Sequence, residues 1–415
     1  MARPFATYRL LLATPGGIAQ SVFGLLGRAP GAMLSVAFVA SASLAGGDAG
    51  YALGGLAAGV FALAGAVGGP ALGRLADHHG QARIGMPFAL VSVVAMLLAV
   101  ASLLAWGASW ALIPCAAVAG ATIPSIGSYA RVRWAAILPD QASVQSAQAL
   151  ESIIDEVAFL VGPAMVALLT GLAFPGLPIV LAAVFLVAGV AGGMSRLALP
   201  VPPPHPSASG SVLHRPEFPA GTAILAATLV MGVALGVIQV LQLAYTRVVA
   251  NGEAAALVFF VNSGASLLGA IFVGARQWRM PTRRRLTIAL VVYGAAILPT
   301  ALVSGYGPFV IASAMSGMGI APTFVQLNAI IAEETPARIR TTAFGLAASA
   351  TVLGIAFGAA LGGWVTSEVG GDAARAVLLP LAVLTAAAGI IADVTHRRAT
   401  TKALAGAAEA TDAEV

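Results

Sequence analysis

Charged side chains are scarce in this chain, at 9% of 415 residues, while 59% are apolar. A water-facing surface draws about a quarter of its residues from the charged types, so most of this surface is built to face lipid. Cysteine is scarcer still. Cys115 stands alone, which excludes a disulfide framework and a cysteine metal cluster within one chain, and its apolar neighbours suit it to packing. The five histidines, His78, His79, His205, His214 and His396, are dispersed over inter-span loops without metal-ligand spacing. No catalytic set is clustered anywhere, so an enzyme, a metal and a bound cofactor are not expected. The net charge of +5 is spread between apolar runs instead of forming a basic domain, which argues against nucleic acid.

Long apolar runs and glycine are abundant. A membrane span needs roughly 20 mostly apolar residues. Twelve windows meet that need: 22–45, 50–71, 84–105, 110–130, 149–170 and 178–199, then 220–243, 254–275, 286–304, 308–332, 342–366 and 375–394. The expected fold class is an all-α membrane protein of twelve transmembrane helices in two six-helix bundles. Arg3 and Arg9 precede the first run, but no small-residue cleavage site follows a short apolar core, so a retained first span is expected over a cleaved signal peptide. With both termini cytoplasmic, 18 of the 21 Lys and Arg residues fall in inner segments, Arg247 and Arg375 fall outside, and Arg28 lies within the first window. That bias sets the orientation and places the chain in a cytoplasmic membrane with both ends inside. The 48 glycines allow helices to approach closely, as along Gly54, Gly55, Gly59, Gly65, Gly68 and Gly69 of the second span and Gly354, Gly358 and Gly362 of the eleventh. A sliding interface is expected there.

Residues 200–219 hold seven prolines with Ser and Gly, a composition that stiffens a chain without building a core. The expected domains are thus residues 1–199, a cytoplasmic linker at 200–219, residues 220–394 and a tail at 395–415. The halves also repeat. Pro124 has a counterpart about 198 residues later in Pro322, and the stretch before the fifth window has one before the eleventh.

Between the second and third windows runs Gly73-Arg74-Leu75-Ala76-Asp77-His78-His79-Gly80-Gln81-Ala82-Arg83. It resembles the loop signature of the major facilitator superfamily, keeping Gly73, Leu75, Asp77, Gly80 and Arg83, with His78 and Gln81 departing from it. Physically, the glycines allow a tight turn and Asp77 can accept hydrogen bonds from a helix N-terminus or an arginine. The resemblance implies a cytoplasmic latch and covers essentially the whole chain. The matching loop of the second half places Trp278 where Asp77 stands. Gly162-Pro163 in the fifth span is similar to the glycine-proline motif of drug-proton antiporters, though a proline kink packed by small residues is the commoner explanation of such a pair. The resemblance implies a monomeric secondary transporter of a small organic solute, drawing on the proton gradient and exporting. Uptake by facilitation or proton symport, and a non-transporting receptor, are the alternatives.

Ionisable groups at membrane depth are costly and mark candidate sites. Glu151 and Asp155 share a helical face, with Glu156 turned about 100° away. They are proton-coupling candidates, unless Arg131 and Arg133 neutralise them as a gate. The matching positions in the eleventh span are Ala347, Thr351 and Val352, so the fold itself does not require acids there. Arg28 either snorkels to the inner interface or faces the cavity to bind an anionic solute. Asp48 and Asp372 are expected to be solvated at outer ends. In the family the first, fourth, seventh and tenth spans line the cavity, which implies Ser35, Ser125, Gln239, Gln242, Gln326 and Asn328 as polar candidates, with Met318 and Phe324 as apolar wall. Such a lining suits a neutral or amphipathic solute.

Overall fold

Apolar runs in lipid must satisfy every backbone polar group internally, and an uninterrupted helix is the way one segment can do it. The computed structural model describes residues 6–170, 174–204, 221–250, 254–276, 278 and 280–413. The linker beyond residue 204, the side chains of Asp48, Arg247 and Arg279, and those of the tail beyond Thr395 lie outside the described residues. Among the described residues a short helix, Ala6–Ala13, is followed by twelve helices long and apolar enough to span a membrane. They are Gly17–Gly46, Ala52–His79, Gln81–Leu104, Ser109–Ile137, Gln141–Leu169, Leu177–Met194, Gly221–Thr246, Ala255–Ala275, Thr282–Leu302, Tyr306–Glu334, Ala337–Thr366 and Glu368–Thr395. The chain is a multi-pass membrane protein.

Several boundaries differ from the hydropathy windows, two of them for clear reasons. The fifth span begins at Gln141 instead of 149, because Asp140 caps it: its carboxylate accepts the Ser143 amide at 2.9 Å and the Ser143 hydroxyl at 2.7 Å. Those first turns are polar, so an apolar window passes over them. The fourth span continues to Ile137 but is broken, with helix at Leu112–Thr122, extended backbone at Ile123, and helix again at Ile126–Ile137. Pro124 sits in that gap.

By packing the chain divides into two units. One comprises Met1–Ser209, Ala270–Gln277 and Ala337–Val352, and the other Gly210–Gly269, Trp278–Pro336 and Leu353–Val415. The core of the first is built on Met33, Leu34, Phe38, Met96, Ile179 and Leu186, with Phe38 and Phe61 edge to face at 5.8 Å. Its helices meet at glycine. A side chain at Gly120 would strike the Phe61 backbone, one at Gly68 the Ala121 backbone and one at Gly189 the Gly27 backbone. The short first helix lies in this unit, where the Tyr8 hydroxyl donates to the carbonyls of Ala270 and Ile271, both at 3.3 Å.

The second unit packs Met231, Val237, Tyr293 and Ile297 at its centre. Gly354 and Gly358 of the eleventh span close on the backbone of Leu229 and Val233 in the seventh, so these glycines serve contacts inside their own unit. Gly55 and Gly59 meet nothing within 4 Å. On both units the outer faces carry large apolar groups, such as Val67, Leu168 and Val383, each about 70% exposed, as a lipid-facing surface requires.

Candidate functional site

The break in the fourth span places a helix N-terminus inside a membrane-length element. Ser125 is its cap position, but the hydroxyl bonds Ser128 Oγ at 2.7 Å and caps no amide. The first i to i−4 bond of this segment runs from Tyr129 to Ser125, leaving the amides of the preceding turn to other partners. Arg131 is one turn further on. Helical side chains tilt toward the N-terminus, and its guanidinium accordingly reaches back to Gly127. A β-carbon at Gly127 would stand 3.0 Å from Arg131 Nη1 and 3.1 Å from Arg28 Nε. Glycine is what lets two cationic side chains share that turn.

Both guanidiniums meet the acids of the fifth span. Arg28 pairs with Glu151 through Nη2, and its Nε lies 2.7 Å from Asp155 Oδ1. Arg131 Nη2 donates to Asp155 Oδ2 at 2.6 Å. Glu151 accepts a second contact from the Trp134 indole at 2.7 Å. Two cations and two anions therefore balance, the condition under which charge is tolerated at this depth. The members differ in access: the Glu151 side chain is fully buried, those of Arg28 and Arg131 are 7% and 8% exposed, and that of Asp155 is 32% exposed.

Arg28 thus neither reaches for the interface nor stands open for solute. It is committed to two carboxylates of another span, because a pair at close range outweighs a stretched route to water. Arg133 does not join the acids. It is 1% exposed and lies in a cage of neutral acceptors, Gln81 Oε1 at 2.9 Å, Gln20 Oε1 at 3.1 Å, the Gly193 carbonyl and the Met194 sulfur at 3.1 Å. Glu156 is half-buried on the neighbouring face. Gly162 packs on Ala32 and Met33 of the first span, and Pro163 lies within the continuous fifth helix.

A second constellation is the loop after the second span. Gly80, at φ +94°, ends that helix, and Asp77 accepts from the amides of Thr341 at 3.1 Å and Thr342 at 2.7 Å and from the Thr342 hydroxyl at 2.7 Å. Its carboxylate caps the first turns of the eleventh span. Gly73 allows the approach, since a β-carbon there would lie 3.0 Å from the Thr341 carbonyl oxygen. Arg83 is exposed.

The implied cavity residues are less gathered. Ser35 is half-buried, as is Ser125. In the second unit Gln239 is exposed and Asn328 half-buried, while Gln242 and Gln326 are buried with one amide atom each lacking a hydrogen bond, Nε2 and Oε1 respectively. Met318 is exposed and Phe324 half-buried. Sequence reasoning missed Trp134, Gln20, Gln81 and Gly127. Only Gly127 and Trp134 carried a signal, at i−4 and i+3 from Arg131.

The family model of the Major Facilitator Superfamily matches residues 220–411. Solved structures share the fold over nearly the full length. The human organic anion transporter MFSD10 (TETRAN) has a TM-score of 0.66 at 14% identity, covering 89% of this chain and 97% of its own. A bacterial homologue of the iron transporter ferroportin, in an outward-facing state, gives 0.68 at 14%, covering 92% and 99%. The E. coli fucose:proton symporter FucP gives 0.64 at 12%, covering 91% and 99%. No curated protein matches the chain by sequence. The family model thus matches the second half of this chain, and the described residues share the fold of these solved transporters over nearly their whole length.

Proposed function

We propose that this chain is a proton-coupled secondary transporter of a small organic solute, working as a monomer by alternating access in a cytoplasmic membrane with both termini cytoplasmic. The proton gradient is its energy source, without a cofactor. Asp155 is the coupling group. One observation carries this: of the two paired acids only Asp155 is both reachable, at 32% exposure, and shared between arginines of two different spans. A proton on Asp155 releases Arg28 and Arg131 from their common anion, which loosens the first, fourth and fifth spans from each other. Glu151, fully buried and held by Arg28 and Trp134, stays as the fixed counter-charge.

Export by proton antiport is the direction supported by the likeness of Gly162-Pro163 to the antiporter motif. Symport is the second reading, and the pairing itself favours it, because protonating Asp155 uncovers positive charge that a solute can meet. In proteoliposomes a pH gradient is expected to drive accumulation by the wild type. Asp155→Asn should abolish that accumulation while leaving counterflow exchange intact. Gradient-driven accumulation by the Asn variant would sink the coupling assignment, and the sign of the effective gradient separates export from uptake.

A further inference from the structure

Three side chains on the first, fourth and fifth spans, two of them paired with Asp155 and the third one turn from Glu151, have hydrogen-bonding capacity unspent. Arg28 Nη1 and Arg131 Nε are buried donors without a hydrogen-bond partner among the described residues. Gln148 is fully buried, and neither its Nε2 nor its Oε1 has a partner. It lies three residues before Glu151 and seven before Asp155, on the same face of the fifth span. The uncapped N-terminus at Ile126 lies beside both guanidiniums and adds the positive end of a helix dipole. Buried polar groups are usually satisfied, and unspent donors on this scale are a standing invitation to an acceptor.

From these we infer that Arg28, Arg131 and the first turn at Gly127 form a binding site for the carboxylate of a small monocarboxylic acid, which takes the place beside the two guanidiniums that protonated Asp155 gives up, with Gln148 further along the same face toward the rest of the solute. The inference rests on the coupling role of Asp155 proposed above. Charge decides the valence. The groups paired around Asp155 are Arg28 on the first span, which it shares with Glu151, and Arg131 on the fourth; Glu156 is turned to the neighbouring face outside these pairs, and the sixth span has no titratable residue. With Asp155 ionised, two cations face Asp155 and Glu151 and the cluster is neutral. With Asp155 protonated, one positive charge is left, which one carboxylate balances and a dianion overbalances. Geometry decides the type of anion. Two guanidinium edges offer the forked donors that planar carboxylates accept in pairs. The proton goes to an Asp155 carboxylate oxygen and no covalent bond is made or broken beyond that O–H.

The test uses the full chain in detergent, with acetate, hexanoate and benzoate as probes, each set against its neutral amide, and thermal stabilisation and calorimetry as readouts. Wild type should bind at least one carboxylate more tightly as pH falls, and none of the amides. Asp155→Asn, which removes the resident anion, should bind the same carboxylate about tenfold more tightly at neutral pH and with little pH dependence. Adding Arg131→Gln to that variant should abolish the gain. The site is refuted if Asp155→Asn binds no carboxylate more tightly than wild type, if the amides bind equally, or if Arg131→Gln leaves the gain in place. Should the Asn variant not fold, the wild-type pH dependence and the carboxylate-to-amide contrast decide alone. Gradient-driven flux through Asp155→Asn would fail the coupling reading without touching this binding result, so the two are separable.

Discussion

The fourth and tenth spans occupy matching places in the two halves and each carries a proline at the matching position, yet one is broken and the other is not. At Pro124 the backbone leaves the helix for three residues. Pro322 lies inside a helix that runs unbroken from Tyr306 to Glu334. The difference lies in what takes up the loosened backbone. Beside Pro322, the Ala321 amide donates to the Ser266 hydroxyl at 3.1 Å, so a neighbouring span holds the helix at its proline. At Pro124 the interruption instead opens a helix start onto two arginines. The acids follow the same division. The fifth span sets Glu151 and Asp155 against those arginines, while the eleventh has Ala347 and Thr351, whose hydroxyl simply bonds the Ala347 carbonyl at 3.0 Å. At these matching positions the first half therefore carries charge, in a balanced set, where the second carries Ala347 and Thr351.

That contrast can be broken from either side. The largest effect belongs to Arg28→Ala, which strands a fully buried Glu151 carboxylate and should cost about 3 to 5 kcal/mol in reversible unfolding. Replacing Arg28 and Glu151 together by Met and Leu should cost less than Arg28→Ala alone; a larger cost would mean the pair is not the unit described. Next, Thr351→Asp places an acid at the position equivalent to Asp155 without matched arginines, and a loss of about 2.5 to 3.5 kcal/mol is expected. A neutral outcome would show that this half also tolerates charge. The smallest change, Asp140→Ala, removes the fifth-span cap for about 1 kcal/mol, read as faster amide exchange at Ser143. The backbone amide of Ser143, and then its hydroxyl, hold the Asp140 carboxyl below the usual aspartate range. A folded value below the unfolded one means that this contribution is present above the unfolded value and is lost as pH falls through the folded one. Wild type and Asp140→Ala should therefore converge in stability in acid and separate near neutrality.

Much of this was legible beforehand. Twelve spans can be read off because length and apolarity are local properties, and Asp77 because its loop has a distinctive spacing. The acids of the fifth span stood out because charge at depth is rare. Their partner did not, since Arg28 and Glu151 are 123 positions apart and nothing local joins them. Arg133 looked equivalent to Arg131 on the same helix, but two residues turn a side chain through about 200°, toward Gln20 and Gln81 instead of the acids. Arg375, one of two exceptions to the inward charge bias, is explained only in three dimensions. It lies 3.7 Å from the centre of the Tyr245 ring and donates to the last carbonyls of the ninth span, Thr300 at 3.1 Å and Val303 at 2.5 Å.

The gap at Pro124 makes the fourth span an articulated rod. Its upper piece is clamped where Gly120 and Ala121 press on the second span, and its lower piece carries Arg131, Arg133 and Trp134. Torque applied to the lower piece can be taken up by a few backbone dihedrals at the joint, without unwinding a turn of helix or dragging the clamped end along. Rearrangement around the paired charges is thereby mechanically insulated from the Leu112–Thr122 piece and the second span that holds it.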